Sequence, residues 1–502
     1  MDQTFRNKTI SGMIWKALES GGNQGITIVI SIVLARMLDP ENYTTLALLM
    51  IFVTFADVFV KRGFATALIQ KKDADNVDFS SALWVMLALA GAFYALLFFG
   101  APFISGFYEE PLFTPALRMV SLSLFFGAFT AVQGAIVQRK LEFRKFCMAT
   151  LGATLISGAV GIYMAYAGYG VWALVVRQLL YSLINMVLLW LLDRWKPSLV
   201  FSMERVKSLF GFGWKLLASS LLESGYKSLS GLVIAKRYIG ESLAFYNRGR
   251  QFPSIIGENL NSVALAVLFP AYARHQSDQT RVREMVRKTN RSTSLMIFPM
   301  MAGLAAIAPL FILVLFTEKW MPAVPFLQLF CIEFAFYPME ATDLQAINAI
   351  GRSDIYLRSE IIKKVFGILA LATSVFAFTT PLAIAGAVVL TELFSVLVTM
   401  FYMKRLFNYG WGAQLWDILP PILLSAVMAA AVYAASFLPV ADLLLLVIQI
   451  VCGVAVYLAL AVLLKLESFQ YLWRSMKEYL TKNRNKTEPM CGPDGPCDGT
   501  QV

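Results

Sequence analysis

Histidine is almost absent from this chain of 502 residues, which contains only His275. Catalysis that pairs histidine with serine or cysteine, and metal sites built on histidine, therefore have no candidate residues. Cysteine is also scarce. The five cysteines form no cluster with metal-ligand spacing, and Cys491 and Cys497 lie in a tail that we interpret as disordered. The sequence thus predicts neither an enzyme nor a bound metal or cofactor.

Charged residues are also few, at 15% of the chain, whereas hydrophobic residues make up 58% and the mean hydropathy is +0.65. The core of a water-soluble protein cannot bury so much apolar surface, so the composition predicts an all-α, polytopic membrane protein. Apolar runs of roughly 20 residues indicate about fourteen transmembrane helices. The predicted helices begin near residues 12, 43, 81, 116, 148, 170, 212, 241, 291, 322, 357, 381, 418 and 442.

Long loops are missing from one side of the predicted membrane, where the connections include LDPENY (38–43) and TTP (379–381). Most of the 43 Lys and Arg residues lie on the other side, in segments such as QRKLEFRK (138–145) and DRWKPS (193–198). The positive-inside rule makes that side cytoplasmic and places both termini in the cytoplasm. Because this asymmetry explains the formal charge of +11, we expect no nucleic-acid binding.

The two halves of the chain resemble each other. SGMIWKAL (11–18) is similar to FGFGWKLL (210–217), and about twenty residues later IVLARMLDPENY (32–43) is similar to LVIAKRYIGESLAFY (232–246). A parallel repeat of this kind predicts two pseudo-symmetric six-helix lobes. We place the N-lobe at 1–192, the C-lobe at 193–405, two further helices at 406–466 and a cytoplasmic, disordered tail at 467–502.

Polar side chains recur along one face of several predicted helices. In the seventh helix, the spacing of three or four residues puts a whole set on one side: Lys215, Ser219, Glu223, Lys227 and Ser230. Comparable stripes contain Lys16, Gln24 and Ser31 in the first helix, Arg177, Tyr181 and Asn185 in the sixth, and Asn247, Arg250 and Glu258 in the eighth, with Arg248 close by. Lipid offers no hydrogen bonds, so these stripes must pair with one another or line a hydrated cavity.

The lysines of these stripes allow a purely structural interpretation. Lys16 and Lys215 lie near cytoplasmic helix ends and could reach the lipid headgroups. Glu223 precedes Lys227 by four residues, so the two could neutralise each other.

The arginines are harder to explain in this way. Arg177, Arg248 and Arg250 have no adjacent acid in the sequence, and arginine keeps its proton. We therefore favour a polar cavity that binds an anion. Acids inside the spans are candidates for coupling transport to protons or sodium, and the sequence does not choose among them: Asp57, Glu223, Glu258, Glu19, Glu333, Glu340, Asp343 and Glu392.

Five segments carry a family resemblance: GFATALIQKKD (63–73), GYGVWALVVRQ (168–178), LAFYNRGRQFPS (243–254), TEKWMPAVPFLQ (317–328) and GRSD (351–354). Together they resemble the polysaccharide-transporter branch of the multidrug/oligosaccharidyl-lipid/polysaccharide exporter superfamily, which includes the Wzx-type O-antigen flippases. The likeness runs from about residue 5 to 410.

The resemblance implies a flippase of the bacterial inner membrane that works by alternating access. Its substrate would be an undecaprenyl-diphosphate-linked oligosaccharide for lipopolysaccharide, O-antigen or capsule synthesis. Its partners would be this substrate, membrane lipids, and a glycan polymerase with a chain-length regulator. Arg248 falls within one matching motif and Arg177 near the end of another. We predict that the diphosphate binds Arg177, Lys227, Arg248 and Arg250, with Lys16 and Lys215 nearer the cytoplasm, and that Gln24 and Asn247 contact sugar.

Two alternative functions stay open. A cation-coupled drug or metabolite antiporter of the same superfamily would share the fold, with a cavity that is more acidic or more apolar. A membrane protein that only scaffolds glycan assembly would tolerate alanine throughout the polar stripes.

Overall fold

The computed structural model describes residues 3–193, 195–238, 240–275, 278–464 and 469–470, and this part of the chain is helical without strands. It forms fifteen α-helices and one short 3-10 helix, Glu318–Ala323. The α-helices are α1 Gln3–Met37, α2 Pro40–Gln70, α3 Asn76–Tyr108, α4 Phe113–Val120, α5 Ser123–Arg139, α6 Phe143–Tyr166, α7 Val171–Asp193, α8 Met203–Arg237, α9 Ser242–Arg274, α10 Gln279–Phe316, α11 Val324–Ala349, α12 Ser353–Ala377, α13 Pro381–Phe407, α14 Trp411–Ala435 and α15 Asp442–Leu463. The all-α polytopic fold predicted from composition is confirmed.

The helices agree with the predicted spans in number and in order. Because only Ser121 and Leu122 separate α4 from α5, the two form a single span, and fourteen helical segments result within the described chain. Eleven of them are long and apolar enough to cross a membrane. The other three, α8, α9 and α12, are of similar length but more polar, and α8 and α9 carry two of the predicted polar stripes.

Several helices begin earlier than predicted. The largest difference is at α10, which begins at Gln279 rather than near residue 291. A hydropathy run marks only the part of a helix that suits lipid, whereas the backbone hydrogen bonds of α10 continue through its basic first turns. Pro299 and Pro309 lie inside this helix, and Pro338 lies inside α11.

The helices are grouped into two compact units. Unit 1 comprises Met1–Gly249, Ile312–Phe326 and Leu369–Ala387, and unit 2 comprises Arg250–Phe311, Leu327–Ile368 and Val388–Val502. Five consecutive helices, α9 to α13, therefore each contribute residues to both units. The lobes at 1–192 and 193–405, and the duplication behind them, stay a prediction. The predicted tail, apart from residues 469–470, lies outside the described residues.

A glycine contact brings α2 and α8 together within unit 1. A Cβ atom added to Gly213 would lie 2.4 Å from the carbonyl oxygen of Gly63, so only glycine permits this backbone approach. The two helices can pack this closely because neither presents a side chain at the crossing.

Hydrogen bonds from side chains to backbone carbonyl groups join helix ends within unit 1. Arg36, at the end of α1, donates to the carbonyl oxygen of Leu315 at 2.9 Å and also to that of Val314. Trp320 donates its indole N–H to the carbonyl oxygen of Ala35 at 2.9 Å. These bonds satisfy carbonyl groups that have no partner inside their own helices, so they tie the end of α1 to the end of α10 and the 3-10 helix.

Unit 2 is fastened by one buried carboxylate. Asp417 of α14 accepts hydrogen bonds from Arg287 at 2.6 and 3.0 Å and from Arg291 at 2.8 Å, both on α10, and from the Tyr409 hydroxyl at 2.7 Å. Charge-assisted bonds of this kind are stronger than neutral ones. They join the C-terminal helices to the rest of unit 2.

Candidate functional site

Arg248 lies at the centre of a polar cluster in unit 1. It is in the second turn of α9, is only 5% exposed, and donates from Nη1 to the Ser31 hydroxyl of α1 at 2.8 Å. Its guanidinium carbon lies 5.0 Å from the centre of the Tyr43 ring, which comes from the first turn of α2. Three helix ends thus meet around this arginine.

Two further rings complete an aromatic box around Arg248. The centres of the Phe316 and Trp320 rings each lie 4.6 Å from its guanidinium carbon. Trp320 is fully buried and meets the edge of Tyr43 at 5.2 Å between ring centres. Cation–π contacts in desolvated surroundings are worth about 2 kcal/mol each, so the box compensates part of the cost of burying this charge.

Arg177 of α7 lies close to the same tyrosine. Both Arg177 and Arg248 interact electrostatically with Tyr43, and Arg177 also interacts with Tyr181 one turn further along α7. The Arg177 stem packs against Gly161 of α6, where a Cβ atom would lie only 3.1 Å away. Two guanidinium groups therefore interact with one phenol. We name Arg177, Arg248, Tyr43, Tyr181 and Ser31 the cationic cluster.

Arg177 has no described counter-ion. Among the described residues no carboxylate forms an ion pair with Arg177, and its buried Nε has no hydrogen-bond partner. Asn185, two turns along the same helix, is buried with an unsatisfied side-chain oxygen. Unsatisfied polar atoms in a membrane helix indicate a place where a polar ligand or water binds.

The stripe on α1 is partly neutralised. Lys16 Nζ lies 2.5 Å from Glu19 Oε2, with Glu19 buried and Lys16 half-exposed. Lys16 also lies over the Phe146 ring at 5.2 Å. Gln24 is half-buried, and its neighbour Asn23 accepts a hydrogen bond from Thr154 of α6. Lys16 thus has a counter-ion that the sequence stripe did not identify.

On α8, Lys227 and Glu223 neutralise each other, as the purely structural interpretation of their spacing allowed. Lys227 Nζ lies 2.9 Å from Glu223 Oε1, and both side chains are more than half exposed. The side chain of Lys215 lies outside the described residues. Asn247, in the first turns of α9, is exposed.

The remaining predicted residues are separate from the cationic cluster. Arg250 belongs to unit 2, where its Nη2 lies 2.6 Å from Glu333 Oε1. Glu258 is exposed on α9. Asp57 pairs with Lys61 at 2.7 Å on α2, a contact that packs against Gly127.

The sequence identified Tyr181 but not two of the rings around Arg248. Tyr43 and Trp320 lie near helix ends, and the periodicity of a membrane helix gives such positions no special weight. The sequence did carry a signal for Trp320, because this residue lies in the motif TEKWMPAVPFLQ, one of the five segments that show the family resemblance.

Comparison with known proteins gives the chain a family. A model described as polysaccharide biosynthesis protein matches residues 33–325, which is more than half of the chain. The chain belongs to this polysaccharide biosynthesis protein family. The match spans the helices that supply Tyr43, Arg177, Arg248 and Trp320, so all four lie within the family's matched region.

Proteins that are similar to this chain in sequence have names that refer to glycan biosynthesis. The chain is 26% identical over 367 residues to the succinoglycan biosynthesis transport protein ExoT of Rhizobium meliloti, covering 73% of this chain and 74% of that protein. It is 28% identical over 336 residues to the lipopolysaccharide biosynthesis protein WzxC of Escherichia coli, covering 66% and 67%.

The fold of this chain is similar to that of a membrane protein of known structure. The lipid II flippase MurJ, in an inward closed conformation, superposes with a TM-score of 0.73 at 14% identity, covering 90% of this chain and 98% of that one. The likeness confirms the all-α polytopic fold, which this chain shares with that flippase.

Proposed function

We propose that this protein is a flippase that moves an undecaprenyl-diphosphate-linked oligosaccharide across the bacterial inner membrane by alternating access. Membership of a polysaccharide biosynthesis family supports the substrate class, and the names of the relatives support transport as the activity. The fold supports the same activity because a lipid flippase shares it. The product would serve lipopolysaccharide, O-antigen or capsule synthesis.

The observation that carries this proposal is the pair Arg177 and Arg248 beside Tyr43. A diphosphate offers several anionic oxygens, and guanidinium forks bind such groups with two parallel hydrogen bonds. In a poorly hydrated cluster these bonds are stronger than in water. Arg177, with its buried Nε and no described counter-ion, is the group best prepared to receive a phosphate.

The other predicted residues have supporting roles in this proposal. Gln24 and Asn247 supply amide groups for sugar hydroxyls, and Lys16, Lys215 and Lys227 supply positive charge along the path of the headgroup. Arg250 is paired with Glu333, and its contact with the diphosphate stays a prediction from the sequence. Asp57, Glu223 and Glu258 stay candidates for ion coupling.

The proposal includes an orientation and a set of partners. The positive-inside rule places both termini and the basic loops in the cytoplasm, with the outer ends of α1 and α10 facing the periplasm. The lipid-linked oligosaccharide and membrane lipids are the direct partners, and a glycan polymerase with its chain-length regulator would act on the exported product.

Complementation of a flippase-deficient strain tests the proposal. We expect wild-type protein to restore surface polysaccharide and Arg177→Ala to abolish that restoration at normal protein level. Arg358→Ala is the matched control, because this arginine is exposed on α12 and should be dispensable. Full restoration by Arg177→Ala would remove the site assignment, and failure of the wild-type chain with any lipid-linked glycan would remove the function.

The rival functions predict different results. A drug or metabolite antiporter would change drug sensitivity without restoring polysaccharide, whereas the family match favours the glycan carrier. A scaffold protein would restore polysaccharide even when Arg177 is replaced.

A further inference from the structure

Unit 2 contains a second ionic network, centred on Lys363 of α12. Its Nζ lies 2.5 Å from Glu340 Oε1 of α11 and also contacts Glu360 Oε1 one turn earlier on its own helix. The Lys363 side chain is only 7% exposed. An ammonium group so deeply buried needs these carboxylates in order to stay charged.

A further carboxylate faces this network from α13. Glu392 interacts electrostatically with Glu340 and Glu333 of α11, with Lys363 of α12 and with Arg250 of α9. Its Oε1 atom is buried and has no hydrogen-bond partner among the described residues. One oxygen of Glu392 is therefore shielded from water without a donor.

The network lies deep inside the helices that hold it. Glu392 is about 16 Å along α13 from its first residue, and Lys363 is about 15 Å along α12 from its own. The hydrocarbon core of a bilayer is about 30 Å thick, so both groups are expected near its middle, where water is scarce.

The described residues of the network include more acids than cations. The acids are Glu333, Glu340, Glu360 and Glu392, and the cations are Arg250, Lys363 and the half-buried Lys364. Arg250 lies 2.6 Å from Glu333, and Lys363 already contacts two acids. An ionised Glu392 would thus add a negative charge that these contacts do not neutralise, which is costly at membrane depth.

We propose that Glu392 is a proton-binding site, which takes up one proton as a neutral carboxylic acid and releases it as a carboxylate. No other bond is made or broken. A proton fits better than a metal ion, because the Lys363 ammonium already occupies the space between Glu340 and Glu360 where a bound cation would lie. As a neutral acid, Glu392 can donate a hydrogen bond to a neighbouring glutamate. As a carboxylate, it is attracted electrostatically by the ammonium group of Lys363.

The role of this proton in transport rests on the proposed function. Exchange of the proton at Glu392 changes the net charge of a network that joins α9, α11, α12 and α13. That change supplies a way for a proton gradient to bias the movement of these helices.

Infrared difference spectroscopy tests the site without any transport substrate. The full-length protein is placed in vesicles of phosphatidylethanolamine and phosphatidylglycerol, and the carbonyl band of protonated carboxyl groups is followed as the pH rises through neutrality. We expect a band that disappears on raising the pH and is absent from Glu392→Gln. Glu284→Gln is the matched control, because this glutamate is exposed on α10 and takes no part in the network, so the band should persist.

Glu392→Asp distinguishes loss of the carboxyl group from a folding defect, because this variant keeps a carboxyl group at the same position. We expect it to retain a titrating band at a shifted frequency. A band that survives in Glu392→Gln, a band that does not titrate, or a band that changes only when sodium is added would overturn the proposal. A chain that shows the titrating band but moves no lipid would contradict the proposed function and leave the proton site intact.

Discussion

Arg177 and Arg248, the two arginines of the cationic cluster, have different surroundings. The stem of Arg177 lies against the bare backbone of Gly161, its buried Nε has no hydrogen-bond partner among the described residues, and its charge interacts with Tyr43 and Tyr181. Arg248 is held differently, by three rings and the Ser31 hydroxyl. The first environment leaves donor capacity for a phosphate, whereas the second mainly fixes the position of the guanidinium group.

Valine in place of Gly161 should displace Arg177 without removing its charge. A Cβ at this position would lie 3.1 to 3.3 Å from three carbon atoms of the Arg177 stem, and the two methyl groups of valine increase the overlap. We expect the rate of glycan export by Gly161→Val to fall by about tenfold, equivalent to about 1.4 kcal/mol of lost interaction.

The control for this change is Gly100→Val, at a helical glycine of α3 where an added Cβ atom would have no neighbouring atom within 4 Å. Export should stay near the wild-type rate in the control. Equal export by the two variants would show that the packing of Arg177 on Gly161 does not matter for function.

At the scale of helices, close backbone contacts decide which elements move together. Gly63 and Gly213 let α2 and α8 approach until the carbonyl oxygen of one glycine would overlap a Cβ of the other. Arg36 and Trp320 tie the end of α1 to residues near the end of α10. Both contacts lie inside unit 1, so we expect α1, α2 and α8 to behave as one body.

Alanine at Gly213 should destabilise the protein, whereas alanine two residues earlier should stabilise it. The Cβ at position 213 would lie 2.4 Å from the Gly63 oxygen, and overpacking of this kind costs about 1–3 kcal/mol. Gly211 has open space around it on the same helix, and replacing a helical glycine by alanine gains about 0.5–1 kcal/mol.

Thermal unfolding in detergent measures both variants against the wild type. The midpoint should fall for Gly213→Ala and rise slightly for Gly211→Ala. Shifts of the same sign in both variants would mean that the α2–α8 contact is looser than the structure shows.

At the scale of the whole molecule, the sequence predicted the helices well because lipid imposes a simple rule on them. Runs of apolar residues located fourteen segments, and even the polar helices α8 and α9 were found, since their charges lie on one face. The helix ends were less accurate, as at Gln279, because helices continue beyond the lipid.

The site could be predicted only in part. Arg177 and Arg248 stood out because an arginine inside a membrane helix has to be explained. The rings around Arg248 come from segments far apart in the chain, so only the tertiary structure brings them together. The pairing of Lys227 with Glu223 was one of the two interpretations that their spacing allowed. The pairing of Lys16 with Glu19 depends on rotamers, which periodicity does not specify.

Cysteine labelling of spheroplasts tests the orientation of the molecule. Tyr169, in the turn between α6 and α7, is 56% exposed and predicted to face the periplasm, and Asp73, between α2 and α3, is exposed and predicted to face the cytoplasm. We expect a membrane-impermeant maleimide to label Tyr169→Cys in intact spheroplasts and Asp73→Cys only after permeabilisation. The reverse pattern would invert the topology and the direction of transport.

The central claim is that the cationic cluster of unit 1 holds the diphosphate of a polyprenyl lipid. Native mass spectrometry of the purified full-length protein tests it directly, by comparing the retention of undecaprenyl diphosphate with that of undecaprenol. We predict that the wild type prefers the diphosphate lipid by at least about tenfold and that Arg177→Ala retains both lipids equally. Equal retention of the two lipids by the wild type, or an undiminished preference in Arg177→Ala, would contradict the account.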